Sequence, residues 1–194
     1  AMERAVFMDR DGTVSEEVGY VNHIERLRIF PWTARAVKKL NDVGIRAFIV
    51  TNQSGVARGY FPESLVTEVH NRLKQELATG GARLDAIYYC PHHPDGRLAL
   101  YRKKCACRKP ASGMLERAAR EFGLDLSRSF VVGDKYIDLE TGFRVGARAV
   151  LVMSGYGRGE YAYLRDTWPR PPDHVAEDLS QAVDWVLEQT AGPF

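Results

Sequence analysis

Short apolar runs that stop abruptly, with segments of helical periodicity between them, leave this chain few folds to choose from. Arg4-Ala-Val-Phe-Met-Asp9 and Ile45-Arg-Ala-Phe-Ile-Val-Thr51 have the length and apolar density of buried strands. Strands are also predicted over 84–89, 129–132 and 147–153. Between the first two runs, residues 33–43 carry apolar side chains at 34, 36, 37, 40 and 43, a helical spacing closed by Gly44. Further helices are predicted over 62–77 (Pro62 near the first turn), 111–122 (closed by Gly123), 138–145 and 179–188. Strands alternating with helices imply an α/β fold, a Rossmann-like parallel sheet flanked by helices. The chain has 194 residues, 45% of them hydrophobic, which suits one domain over 1–194. Residues 14–30 and 90–107 break the alternation. They read as small inserts, with no large cap domain. Trp168-Pro-Arg-Pro-Pro172 reads as a rigid loop.

Lys and Arg number 27 against 25 Asp and Glu, a surplus of +2 that is too small to imply nucleic acid as partner. It leaves room for a local basic pocket. No stretch of 18 apolar residues exists to span a membrane. The N-terminal AMERAVFMDRDGT has neither the basic-then-apolar pattern nor the cleavage site of a secretory signal. The three cysteines are an odd number, which argues for reduced thiols and a cytoplasmic protein. A small molecule is the expected partner, and a monomer the expected state.

Three predicted strand ends carry chemistry: Asp9-Arg10-Asp11-Gly12-Thr13, Thr51-Asn52-Gln53-Ser54-Gly55 and Gly133-Asp134-Lys135, with Asp138 four residues beyond Asp134. In open α/β sheets ligands bind beyond the carboxyl ends of the strands. Asp9, Asp11 and Asp134 are therefore expected to converge. Three carboxylates side by side need a compensating cation, and their hard oxygens suit Mg²⁺. With the charge partly neutralised, one carboxylate can act as nucleophile and another as acid/base. Thr51 offers a hydroxyl, and the backbone N–H groups of the turn after it can bind phosphate oxygens.

The cysteines cluster. Cys90-Pro91-His92-His93 and Cys105-Ala106-Cys107 form a Cys-x-His…Cys-x-Cys set with 12 residues between His92 and Cys105. Two pairs of S/N ligands match a closed tetrahedral structural Zn²⁺ site in a loop with little else to order it. His93 competes with His92 for the nitrogen position. The two-residue step that mirrors Cys-x-Cys favours His92.

The ordered set DxDGT, TNQSG and GDK resembles the haloacid dehalogenase superfamily of phosphotransferases over nearly the whole chain. The resemblance implies that Asp9 attacks phosphorus to form an aspartyl-phosphate. It implies that Asp11 protonates the leaving alcohol and then activates water. It places Mg²⁺ at Asp9, the backbone carbonyl of Asp11 and Asp134. Thr51 and a lysine would hold the transferring phosphoryl group. Lys109 is the candidate, because Cys107-Arg108-Lys109-Pro110 directly precedes a predicted helix, whereas Lys103 and Lys104 lie inside the loop.

The zinc loop ahead of CRKP narrows the likeness to the group containing heptose-1,7-bisphosphate 7-phosphatases and histidinol-phosphate phosphatases. Asn52-Gln53-Ser54-Gly55-Val56-Ala57-Arg58-Gly59 and Gly19-Tyr20-Val21 resemble the heptose branch. That branch implies hydrolysis of the 7-phosphate of D-glycero-D-manno-heptose 1,7-bisphosphate, in the making of nucleotide-activated heptose for cell-surface polysaccharide. Its substrate contacts would fall on Glu17, Val18, Gly19, Tyr20, Thr51, Asn52, Gln53, Ser54, Arg108, Lys109 and Lys135, with Arg108 choosing the bisphosphate. Histidinol-phosphate or broader sugar phosphatase activity is the alternative within the enzyme class. A zinc-stabilised phosphate-binding module without turnover is the alternative outside it, against which the pair Asp9 and Asp11 argues.

His23, His70 and His174 read as surface or boundary residues. Arg144 and Arg148 read as a solvated face, and Tyr161, Tyr163 and Trp168 as packing. Tyr156-Gly157-Arg158-Gly159 has loop composition after a strand end, where loops border active sites.

Overall fold

Every predicted strand is present, and together with one more they form a single parallel sheet. The strands are β1 (Ala5–Met8), β2 (Arg46–Asn52), β3 (Ala86–Cys90), β4 (Phe130–Gly133), β5 (Arg148–Val152) and β6 (His174–Ala176), in the order β3-β2-β1-β4-β5-β6. This computed structural model describes residues 2–191; Ala1 and residues 192–194 of the expected domain lie outside the described residues. The chain first builds outward from β1 through β2 to β3, then returns to the other side of β1 for β4, β5 and β6. The switch point therefore lies between β1 and β4, whose carboxyl ends open the crevice that such sheets use for ligands.

The helices are α1 (Thr33–Asp42), α2 (Glu63–Thr79), α3 (Gly113–Phe122), α4 (Tyr136–Phe143), α5 (Gly157–Leu164) and α6 (Leu179–Thr190). Alternation along the strands divides the core between the two faces of the sheet. Val6, Met8, Ile49, Val132 and Val150 meet Val37 and Leu40 of α1, Leu73 and Leu77 of α2 and Val183 of α6. Ala5, Phe7, Phe48, Val131 and Leu151 meet Leu115 of α3 and Leu139 of α4. The Phe7 and Phe48 rings stack at 5.2 Å. Truncating either to Ala would cost about 3–5 kcal/mol. Gly123, at φ 66 and ψ 52, ends α3 in the left-handed conformation that its position after the helix predicts.

Two elements depart from the sequence reading. Gly157–Leu164 forms α5, although 156–159 has loop composition, and 174–176 add β6 to the sheet edge. Of the α5 residues only Gly157 is buried, so no apolar stripe announces the helix. β6 has three residues, too few to show a period. Trp168 packs as expected, stacked 4.6 Å from Tyr136, whereas Tyr163 is 86% exposed. His70 is not a surface residue: it is buried on α2.

Candidate active site

β1 ends at Met8, which pairs with Val132, and β4 at Gly133, so Asp9 and Asp134 leave adjacent strands one residue apart in register. Asp138, in the first turn of α4, completes a buried trio whose ligand oxygens lie within 4.8 Å of one another. Lys109 enters from the loop before α3. Its Nζ donates to Asp9 Oδ1 at 2.8 Å, Asp138 Oδ1 at 2.6 Å and the Val50 carbonyl at 2.9 Å. Burial opposes its charge, but Asp138 and Asp9 outweigh that and hold its pKa raised. Burial, then Asp9, pushes the Asp138 carboxyl up to about 6 despite Lys109.

Asp134 is fully buried. Its Oδ2 accepts from the Tyr156 backbone N–H at 2.9 Å, and its Oδ1 has no hydrogen-bond partner. Burial, then Asp9 and Asp138, pushes its pKa up to about 9. One ammonium among three carboxylates leaves the cluster short of positive charge, and an orphaned buried oxygen is where a hard cation would bind. The donor set thus fits Mg²⁺. The backbone is shaped around this carboxylate. A Cβ on Gly12 (φ +93) would stand 2.0 Å from Asp134 Oδ2, and one on Gly155 (φ +57) 2.2 Å from the same atom.

Asp11 faces the same cavity but stands outside the carboxylate trio. Arg10 Nε and Nη2 donate to its two oxygens at 3.1 Å each, and Gln53 Nε2 donates to Oδ2 at 3.2 Å. Gln53 also donates to Thr51 Oγ1 at 2.9 Å, so the β1 and β2 strand ends are laced together.

The cavity encloses about 250 Å³ and is lined by Asp9, Asp11, Glu17, Gly19, Tyr20 and Thr51 through Ser54, and by Arg108, Lys109 and Lys135. Val18, expected among the substrate contacts, does not line it; its carbonyl accepts from Arg26 Nη2 at 2.5 Å. The Asn52 amide pairs with the Lys109 backbone, donating to its carbonyl at 3.2 Å and accepting from its N–H at 3.0 Å. Asn52 therefore seats Lys109 while also lining the cavity. Lys135 Nζ lies 4.8 Å over the Tyr156 ring. Burial opposes its charge, while Asp9, Asp134 and Asp138 raise its pKa. The cavity also takes in Asp138 and Tyr156, which the sequence reading sets beside strand ends without giving them a role, and Ile137, for which it has no signal. The short step from Asp134, just past β4, to Asp138 in the first turn of α4 is the signal for Asp138.

In the 90–107 loop, the ligand atoms of Cys90, His92, Cys105 and Cys107 converge within 4.8 Å. The thiols stand 2.9 to 3.4 Å apart, with His92 Nδ1 at 3.6 Å from Cys90 and 3.4 Å from Cys107. Tetrahedral zinc with Zn–S near 2.3 Å spaces its sulfurs at about 3.8 Å, so this donor set is compatible with zinc after a small expansion. His93 points elsewhere: its Nδ1 accepts from the Asp95 N–H at 3.0 Å, and its Nε2 lies 3.3 Å from Arg58 Nη2.

A family model described as HAD-hydrolase-like matches residues 106–182. A D-glycero-D-manno-heptose-1,7-bisphosphate 7-phosphatase of Thermosynechococcus vestitus is 42% identical over 96% of this chain and 97% of its own. A D-glycero-beta-D-manno-heptose-1,7-bisphosphate 7-phosphatase of Yersinia pestis is 38% identical over 96% of this chain and 91% of its own. The crystal structure of a D,D-heptose 1,7-bisphosphate phosphatase from B. bronchiseptica, complexed with magnesium and phosphate, superposes with a TM-score of 0.85 at 32% identity. It covers 96% of this chain and 99% of that one.

Proposed function

The chain belongs to the D-glycero-D-manno-heptose-1,7-bisphosphate 7-phosphatase family of haloacid dehalogenase-like hydrolases, and from that premise we propose that it removes the 7-phosphate of D-glycero-D-manno-heptose 1,7-bisphosphate. The observation that carries this reading is the placing of Asp9 and Asp11 on one cavity wall, with Lys109 and Lys135 beside them.

Asp9 attacks the 7-phosphorus, and the P–O7 bond breaks with its electron pair passing to O7. Asp11 delivers the proton that turns O7 into a hydroxyl. It then takes a proton from the water that attacks the aspartyl-phosphate, freeing Asp9 and inorganic phosphate. Lys109, Thr51 and Lys135 surround the phosphoryl oxygens, where their donors meet developing negative charge. Lys109 also holds Asp9 by its Oδ1, which leaves the second oxygen for attack. Asp9, the Asp11 carbonyl and Asp134 would hold Mg²⁺, with Asp138 adjoining. When bound, the ion neutralises part of the carboxylate charge and polarises a phosphoryl oxygen.

Glu17, Gly19, Tyr20 and Ser54 border the sugar, and Arg108 is placed to hold the remote 1-phosphate. Zinc at Cys90, His92, Cys105 and Cys107 would order the loop that delivers Arg108 and Lys109. The chain acts as a monomer on a small phosphorylated sugar. No described helix is long and apolar enough to cross a membrane. We place the enzyme in the cytoplasm, supplying nucleotide-activated heptose. The test is phosphate release from both anomers of heptose 1,7-bisphosphate and from histidinol phosphate, side by side. The expected result is a preference for a bisphosphate anomer; a preference for histidinol phosphate would move the protein out of the heptose branch.

A further inference from the structure

His70 has no part in the chemistry above, yet it is buried on α2 with its Nε2 3.1 Å from Arg10 Nη1. A guanidinium only donates, so this contact needs a lone pair on Nε2, and the ring must be neutral with its proton on Nδ1. Arg10 is 1% exposed and holds both oxygens of Asp11. Its Nη2 also donates to Gln53 Oε1 at 3.1 Å, and Gln53 in turn donates to Asp11. The Asp11 side of the guanidinium is thereby fixed. The opposite corner, Nη1, has one acceptor among the described residues, and it is His70. Without it a buried N–H is left with no acceptor among the described residues, and the guanidinium gains by tilting in search of another. Any tilt carries the Asp11 carboxylate with it.

We propose that His70 is a positioning residue: by accepting from Arg10 Nη1 it fixes the guanidinium plane that aims Asp11 at the leaving oxygen. The inference rests on the phosphomonoesterase chemistry above, but not on which sugar carries the phosphate.

The test exploits what Asp11 does in the first half-reaction. An alkyl ester such as heptose 1,7-bisphosphate needs its leaving oxygen protonated, whereas p-nitrophenolate leaves as a stable anion without that help. The rate of the first turnover is measured with enzyme in excess for both esters. His70→Leu is expected to slow the alkyl ester by about tenfold, with half-saturation within about twofold, since a displaced acid loses only part of its full effect. p-Nitrophenyl phosphate should slow by less than about twofold, and His70→Gln, which restores an acceptor, should recover most of the loss. Equal losses on both esters, no loss on either, or Gln no better than Leu would overturn the proposal. Should thermal melts show that His70→Leu does not fold, Arg10→Lys replaces it. Lysine keeps the charge but cannot span Asp11, Gln53 and His70, so the same ester-selective loss is expected and an equal loss refutes. If the wild type leaves heptose 1,7-bisphosphate untouched, the substrate assignment fails by itself. The comparison then uses an alkyl phosphate that the wild type does hydrolyse.

Discussion

At the β1–β4 switch point three carboxylates meet a cation supplied by the chain itself. In the 90–107 loop three thiols and an imidazole meet none. Asp9, Asp134 and Asp138 are all buried, and Lys109 bridges two of them. Of the loop ligands only Cys90 is buried, and burial pushes its thiol pKa up, toward the form that does not bind metal. The first site is ordered by the sheet before any ion arrives, because Asp9 and Asp134 hang from strand ends fixed by two hydrophobic layers and Asp138 from the first turn of α4. In the second only Cys90, the last residue of β3, hangs from the sheet, and His92, Cys105 and Cys107 belong to the insert. Loss of metal should therefore silence the first without unfolding it, and loosen the second.

The largest effect tests the pre-ordered site. Asp9→Asn keeps an acceptor for Lys109 but removes the nucleophile. It should lower kcat by at least about 10⁴-fold while the melting temperature holds, and phosphate trapped on another residue would break the contrast. Asp11→Asn should cost about 10²–10⁴-fold, slowing formation and breakdown of the intermediate alike; pre-steady-state rates check this. Cys107→Ser attacks the other site. It should release the zinc, about one per chain, that otherwise survives dialysis, and lower both melting temperature and activity. An equally stable, fully active, zinc-free preparation would erase the difference between the two regions.

Arg108 belongs to both regions, one residue past the last thiol and on the cavity wall. Arg108→Ala should cost the bisphosphate about 10–100-fold in kcat/KM and a monophosphate less, from the loss of a charge-assisted contact. Equal losses would place Arg108 at the reacting phosphate. The smallest effect concerns acid. His70 is surrounded by Arg10, Lys74 and the Tyr89 ring, and burial, then Arg10 and Lys74, pushes its pKa down to about 3. Below about pH 6.5 the unfolded chain binds a proton here that the folded chain refuses, so stability falls as pH falls toward 3. The His70→Gln curve should be flatter by about 1 kcal/mol at pH 5.5 in denaturant titrations.

The strand-end chemistry was legible because it follows from topology: a buried run that stops at Asp marks the carboxyl end of a strand, and parallel strands bring such ends together. The thiol set was legible from spacing, and the choice of His92 over His93 matches where their rings point. Other features have no local signature. Arg10 looks like a surface charge until its partner His70 is found 60 residues away. Asn52 lines the cavity as a contact residue would, but nothing local to it shows that its amide also pairs with the Lys109 backbone. Of the helix α5 only the first residue is fully buried, so no apolar stripe could reveal it.

Gly12 and Gly155 press against Asp134 from two ends of the chain, and neither has room for a methyl group. The consequence belongs to the protein's mutational history. Every missense change at either codon adds a side chain where Asp134 already stands, so both positions are closed to drift although neither contributes a functional group. A saturation screen ranked by tolerance would score these two among the chemical residues. The carboxylate between them accounts for their intolerance.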